Sequence, residues 1–228
     1  EARAAARLTP HQGLVLDAAG VLDPRATGRA ISPTSLEQLA ACPLAWFYLR
    51  GLEIAPPEEP ADDPGTWLDP LDRGSLLHTV FERFTSAWLS AQDRIGTDEA
   101  KASLDDIVTA ALDEWRARLP PPSAAVFAAQ AAEIRRSAHA FREMEIAAMR
   151  RRDAGRWHQT EFEFGGADGP VLPLAGGEQL RIRGRIDRID RLPDGRLVVI
   201  DYKTGGAGAH RKDPKRGPFN GGRSLQTL

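Results

Sequence analysis

Two aspartates and a lysine near the end of the chain, Asp187, Asp201 and Lys203, stand at spacings that can do phosphoryl chemistry. Asp187 and Asp201 flank the stretch "LPDGRL", whose Asp-Gly step is a strong hairpin signal. If Pro193, Asp194 and Gly195 form the loop, Leu192 faces Arg196, and counting outward sets Asp187 directly opposite Asp201. Opposed residues share a sheet face with their Cβ atoms roughly 4.5–5.5 Å apart, so two carboxylates converge and repel. A cation must compensate. Lys203, two residues past Asp201, returns to the same face by the strand period. A hard divalent ion is the other candidate, because it takes carboxylate oxygens and keeps waters in its remaining positions. Such an ion acidifies a bound water and neutralises phosphoryl charge, while an ammonium stabilises the charge that develops during attack. The alternative is a surface hairpin in which the carboxylates pair with Arg185, Arg188 or Lys203 as ordinary salt bridges.

The elements that must position these groups are read from periodicity. "RLVVID" predicts a strand, and the run Leu197 to Ile200 reads as one buried on both faces. "WHQTEFEF" and "QLRIRGRIDRID" alternate and predict two more strands. Asp190, at odd spacing from Asp187, falls on the other face and reads as a surface charge. Upstream, residues 71 to 152 have helical period: Leu77, Val80, Phe81, Phe84 and Trp88 mark one face, a second helix spans Thr97 to Leu119, and a third runs from Ala124 to Arg152. The terminal Arg150, Arg151 and Arg152 suit a helix dipole as well as a nucleic-acid contact. Residues 1–31 read as an irregular lead-in. "SPTSLEQLAACPLAW" predicts a short helix over 35–41 with a Thr34/Glu37 capping box, then a second helix opening at Pro43. The proline- and acid-rich residues 55–65 read as a linker. Helices followed by strands point to a mixed α/β or α+β domain.

Composition bounds the rest. Apolar residues at 42% and charged residues at 27% are ordinary for a folded globular chain, and the formal net charge of −2 carries no whole-chain basic signature. A polyanion partner must then be held by a local patch. The stretch from Lys203 to Arg223 supplies one, with Arg211, Lys212, Lys215, Arg216 and Arg223 in a glycine-rich setting suited to backbone phosphates. No apolar run approaches the ~20 residues of a membrane span, and the start of the chain lacks the apolar core of a signal peptide. With a single cysteine, Cys42, no internal disulfide is available, and a cytoplasmic location is the expectation.

"GRIDRID…VVIDYKTG" resembles the PD-(D/E)XK phosphodiesterase superfamily, specifically its RecB-like branch, where an acid on one strand precedes a D/E-x-K on the next. "RGSLLHTVFERF" resembles that branch's G-x-x-x-H helix, "RSLQTL" the start of its glutamine motif, and "ISPTSLEQLAACPLAWFYLRGLEI" the opening of the nuclease domain in AddB-type helicase-nuclease subunits. The ordered set covers residues 31–228. The resemblance implies a restriction-endonuclease-like fold, a central mixed sheet of about four strands flanked by helices. It implies a DNA nuclease using Mg²⁺ or Mn²⁺, exonuclease rather than endonuclease, serving as a module of a double-strand-break repair or recombination helicase-nuclease with DNA and a helicase subunit or domain as partners. By the same resemblance His78, Asp187 and Asp201 are metal ligands, helped by the Tyr202 carbonyl. Lys203 is the catalytic lysine, and Gln226 an active-site or DNA-positioning residue. Read from the residues alone, His78 is open between a structural and a ligating role, and Glu161 between an exposed strand residue and a family acid. AddB-type domains hold an iron-sulfur cluster, for which Cys42 fits the first ligand position. A cluster takes about four thiolates, so it is expected only if three further cysteines lie beyond this chain; in the chain as given, Cys42 reads as a small buried apolar residue. The chain stops two residues after Gln226, where the family continues into a helix, so a fragment is expected. The competing readings are a non-catalytic DNA-binding or assembly module with a nuclease fold, and, more remotely, a hydrolase of small phosphoesters.

Overall fold

A computed structural model describes residues 18–57, 65–151, 155–166 and 169–203. In chain order its elements are α1 (Ala18–Leu22), α2 (Pro24–Thr27), α3 (Pro33–Ala41), α4 (Pro43–Trp46) running into a π turn (Phe47–Gly51), α5 (Pro70–Trp88) running into a 3₁₀ turn (Leu89–Arg94), α6 (Asp98–Arg118), α7 (Ala124–Met149), β1 (Arg156–Phe164), β2 (Val171–Pro173), β3 (Gln179–Arg181), β4 (Gly184–Arg191) and β5 (Leu197–Ile200). The described residues divide into two compact units, one within residues 18–56 and 163–184, the other within 57–162 and 185–203.

The second unit is built on α5, α6 and α7, and each starts where local chemistry says it should. Asp69 caps α5 by accepting from the Asp72 N–H at 2.7 Å, with Pro70 in the first turn where no N–H is needed. Thr97 and Ser123 cap α6 and α7 in the same way. The face predicted for α5 is the buried one: Leu77, Val80, Phe81, Phe84 and Trp88, joined by Leu76 and Thr85, pack into a core with Leu104, Val108 and Leu112 of α6 and Ile134 and Phe141 of α7. Full burial of each large apolar side chain contributes about 1.5–3 kcal/mol. Gln130 on α7 ties the chain before α5 to this core, its Oε1 accepting from the N–H groups of Trp67 and Leu68 at 3.1 and 2.8 Å.

The three-stranded sheet has the order β1-β4-β5. β4 and β5 are antiparallel, pairing Arg188 with Ile200 and Arg191 with Leu197. Their turn closes as the Asp-Gly step requires: the Leu192 N–H donates to the Arg196 carbonyl at 2.8 Å, and Gly195 takes a φ of 87° that only glycine adopts without cost. Two expectations need correction. The alternating run from Gln179 to Asp190 is not one strand but two, β3 and β4, interrupted at Ile182–Arg183 where Ile182 bridges Ile31 instead. β5 is not buried on both faces; Leu197, Val198 and Val199 are exposed, because β5 is the last described strand of its sheet. An apolar run reports what a strand is made of, and position in the sheet decides what covers it.

In the first unit, residues 18–27, expected to be irregular, form α1 and α2, and Ile31 is buried against the bridge to Ile182. β2 and β3 make a separate antiparallel pair with Leu172 opposite Leu180. The cap of α3 is Ser32, two residues earlier than the Thr34/Glu37 box, because Ser32 Oγ accepts from the Ser35 N–H and Pro33 occupies the first turn. Cys42 is exposed rather than buried: it stands between α3 and α4, where its Sγ accepts from the Ala45 N–H at 3.5 Å as a helix cap.

Candidate active site

The β4–β5 register carries directly into the site. Continued one residue beyond Arg188–Ile200, it sets Asp187 opposite Asp201. Each carboxylate has its own partner. Asp187 Oδ2 accepts the backbone N–H of Tyr202 at 2.8 Å and lies 3.4 Å from Nδ1 of His78 on α5. Asp201 Oδ2 lies 2.6 Å from Lys203 Nζ. The arginines that could have neutralised Asp187 are engaged elsewhere: Arg185 with Glu161 at 2.7 Å, Arg188 with Glu145 at 2.8 Å and Asp190 at 2.9 Å. The expected quartet therefore falls into two couples: Asp187 of β4 with the His78 imidazole arriving from α5, and Asp201 with Lys203 just past the end of β5.

Glu161, left open by its sequence, stands next to this group. It adopts a left-handed φ of 49° inside β1, a conformation that costs a non-glycine residue about 1–3 kcal/mol and concentrates at functional sites. Burial raises the pKa of its carboxyl; Arg185 and His78 oppose the rise, and Glu82 and Asp187 add to it. Glu82 is a neighbour that the motifs did not point to. It lies four residues after His78, so both project from one side of α5, and Ser86, one turn further, meets Thr160 of β1 at 2.9 Å. The His-x-x-x-Glu spacing was the available signal. A carboxyl raised in the folded state favours folding most when protonated, and that advantage declines as pH climbs above the ordinary value of 4.5. Glu161→Gln is therefore expected to melt higher than the parent at pH 8 in EDTA, with the difference vanishing at pH 4. A Glu161→Gln melting temperature below the parent's at pH 8 contradicts this.

Behind the pair lies a buried polar network that sets the position of Tyr202. Arg188, 5% exposed, donates from Nη1 to the Tyr202 hydroxyl at 2.9 Å and to Glu145 of α7, while Nη2 donates to Asp190 Oδ2 at 3.2 Å. Its Nε and Asp190 Oδ1 face each other as an ion pair off hydrogen-bond alignment. Trp157 Nε1 donates to the other Glu145 oxygen at 2.9 Å. Burial pushes the Tyr202 phenol well above its ordinary value, so it stays protonated. Asp190 is thus not a surface charge but a buried one, since β4 lies inside its sheet and both of its faces are covered near that end. Gly155 makes room for it: a Cβ there would fall 2.8 Å from Asp190 Cβ. The Tyr202 ring lies edge-on to His78, Phe81 and Phe141. One residue thereby links the metal-ligand candidates to the helical core.

The donors suit a hard divalent ion in part. Ligands about 2.0–2.1 Å from a Mg²⁺ stand roughly 3 Å from one another, and His78 Nδ1 and Asp187 Oδ2 are 3.4 Å apart. Among the described residues no three His, Cys, Asp or Glu side chains are placed to hold an ion as they stand, since Asp201 is turned to Lys203 and Glu161 to Arg185. Gln226 and the basic residues Arg211, Lys212, Lys215, Arg216 and Arg223 lie outside the described residues. No described helix is long and apolar enough to cross a membrane.

The chain is 28% identical over 196 residues to the AddB-type subunit of the ATP-dependent helicase/deoxyribonuclease of Lacticaseibacillus casei, covering 76% of this chain and 15% of that relative. The protein of the same name from Alkaliphilus metalliredigens is 28% identical over 194 residues, again 76% and 15%. That of Acetivibrio thermocellus is 30% identical over 187 residues, 78% of this chain and 16% of the relative. The chain therefore spans about a sixth of the length of these relatives or slightly less. Residues 30–228 match the PD-(D/E)XK nuclease superfamily, and with an aspartate on β4 and an Asp-x-Lys just past the end of β5, this chain belongs to that superfamily.

Proposed function

We propose that this chain is a metal-dependent DNA nuclease module, hydrolysing phosphodiester bonds with Mg²⁺ or Mn²⁺ as part of a larger helicase-nuclease in double-strand-break repair or recombination, and acting as an exonuclease. The observation that carries the reading is the pairing of Asp187 with the Asp201–Lys203 ion pair across the hairpin, beside His78. The names of the relatives support a deoxyribonuclease within a helicase assembly, and membership of a superfamily that uses divalent ions supports the metal.

In this mechanism His78 and Asp187 would hold the ion, with Asp201, or Glu161, turned away from its present cation, as the third side-chain ligand, and the Tyr202 carbonyl would complete the protein's share. A bound divalent ion supplies an acidified water and neutralises charge on a phosphoryl oxygen. The chain's own groups do the rest. Tyr202 holds Asp187 in place through its backbone N–H. The Lys203 ammonium, released from Asp201, faces the phosphorane charge as water adds to phosphorus and the P–O bond to the leaving sugar breaks, the alkoxide taking up a proton. Arg211, Lys212, Lys215, Arg216 and Arg223 hold the flanking backbone, and Gln226 positions the strand.

Labelled DNA incubated with the full-length protein is expected to be cut in Mg²⁺ or Mn²⁺, to remain intact in EDTA, and to be cut again when the ion is restored. Calorimetric titration should show divalent binding at millimolar concentration or below. No binding and no cleavage would favour the non-catalytic module.

A further inference from the structure

We propose that the cleft between α5 and α7 beside Lys203 is a nucleobase subsite, receiving the unstacked base of the nucleotide next to the scissile phosphate. The proposal rests on the nuclease reading and adds a binding determinant to it.

The cleft has a volume of about 430 Å³, within the range of small-ligand sites, and it shares Asp201, Tyr202 and Lys203 with the candidate active site. A group seated in it is therefore adjacent to the reacting phosphate. Its chemistry differs from that of the active site. Leu77 and Phe81 of α5 and Ala140, Phe141 and Met144 of α7 line it with apolar surface. Met144 is 65% exposed, an unbranched, polarizable side chain left in solvent at a cleft wall, where it can close over an aromatic ring.

Arg73 adds a charge. It is half-buried, it also lines the cleft, and its Nε is buried with no acceptor among the described residues. A buried guanidinium N–H without an acceptor is costly in the free protein and is relieved by an anionic oxygen. An apolar slot with Arg73 and Lys203 among its lining residues matches a nucleotide: a flat, weakly polar ring carried on a phosphate. A base inside a duplex cannot enter, because it is stacked and paired. The occupant is a base already free of its partner, and the cleft reads its presence, through contact with its faces, rather than its hydrogen-bonding edge.

The test separates binding from hydrolysis. In Ca²⁺, the full-length protein is titrated into a fluorescent single-stranded oligothymidylate and into an oligomer of equal length in which every base is replaced by hydrogen. Stacking of one base predicts about tenfold tighter binding of the base-bearing strand. Ala140→Trp, which fills the cleft from an exposed position, should abolish that preference while leaving affinity for the abasic strand unchanged. Met144→Ser, which removes the apolar wall without adding bulk or charge, should do the same, and melting curves confirm that both variants fold. Equal affinity of the parent for the two strands, or a preference that survives in both folded variants, overturns the subsite. If the preference is present and lost in the variants but no strand is cut in Mg²⁺, the subsite stands and the nuclease reading fails.

Discussion

Lys203→Ala is expected to lower the rate of DNA cleavage by about 10²–10³, the effect of removing one preorganised charge from a developing oxyanion. The lysine has no evident structural duty that could confuse the result. Its side chain is 34% exposed and its one partner among the described residues is Asp201, itself 36% exposed. Loss of such an ion pair costs about 0–1 kcal/mol, so the melting temperature should hardly move. Divalent binding should persist in this variant, because the ligand candidates His78 and Asp187 are untouched. Asp187→Ala should show the opposite pattern: cleavage and metal binding lost together, since Asp187 is both a ligand candidate and the acceptor for the Tyr202 N–H. Steady-state cleavage of a labelled strand, with calorimetric ion titration of each variant, distinguishes the two. Cleavage by Lys203→Ala at the parent's rate would end its assignment as the catalytic lysine.

The second large effect is on stability. Arg188→Ala removes the cation shared by a buried cluster holding Glu145, 8% exposed at its side chain, and Asp190, 10% exposed. Burial already raises the Asp190 pKa against the pull of Arg188, and Tyr202, Glu145 and Asp190 together outweigh the effect of burial on Arg188 and raise its own. Taking away one member of a buried pair leaves an uncompensated charge and costs about 3–5 kcal/mol. For a chain of this size that lowers the melting temperature by roughly 10 °C or more. The protein can regain part of the loss by protonating its stranded carboxylates, so the deficit should shrink as pH falls. Replacing the cluster whole, Arg188→Met with Glu145→Leu and Asp190→Leu, should recover much of the stability, because no charge is then left unpaired. Activity should not recover to the same degree, as Tyr202 loses the hydroxyl partner that fixes it. Thermal melts of the single and triple variants, paired with cleavage rates, test both halves; a single variant melting within a degree of the parent would contradict the first.

These two experiments probe features of very different legibility. The Asp187, Asp201 and Lys203 arrangement could be read from residue order because a hairpin is local. An Asp-Gly turn closes in one register, the strand period is two, and side-chain facing follows by counting. The start and buried face of α5 were legible for the same reason, since a cap, a proline and a repeat of apolar residues act within one helix.

The Arg188 cluster was not legible. Glu145 and Arg188 are distant in the chain, and nothing in "GRIDRID" indicates which of its charges will be covered by α7. Asp190 was misjudged for that reason: its spacing gave the right strand face, but the cover over that face comes from another element. Cys42 and β5 were misjudged in the opposite sense, their apolar character suggesting burial that tertiary placement denies them.

Sequence by itself determined the local rules here: helix starts, the hairpin register, and an acid opposite an acid with a lysine two residues on. Only the tertiary structure decided that His78 reaches Asp187, that Glu161 is strained and partly buried beside them, and that Tyr202 joins the pair to the core. The physical reason is that caps, turns and side-chain periods depend on residues a few positions apart. Burial, ion-pair choice and convergence depend on which distant surfaces are brought together, and that is settled by the packing of the whole unit.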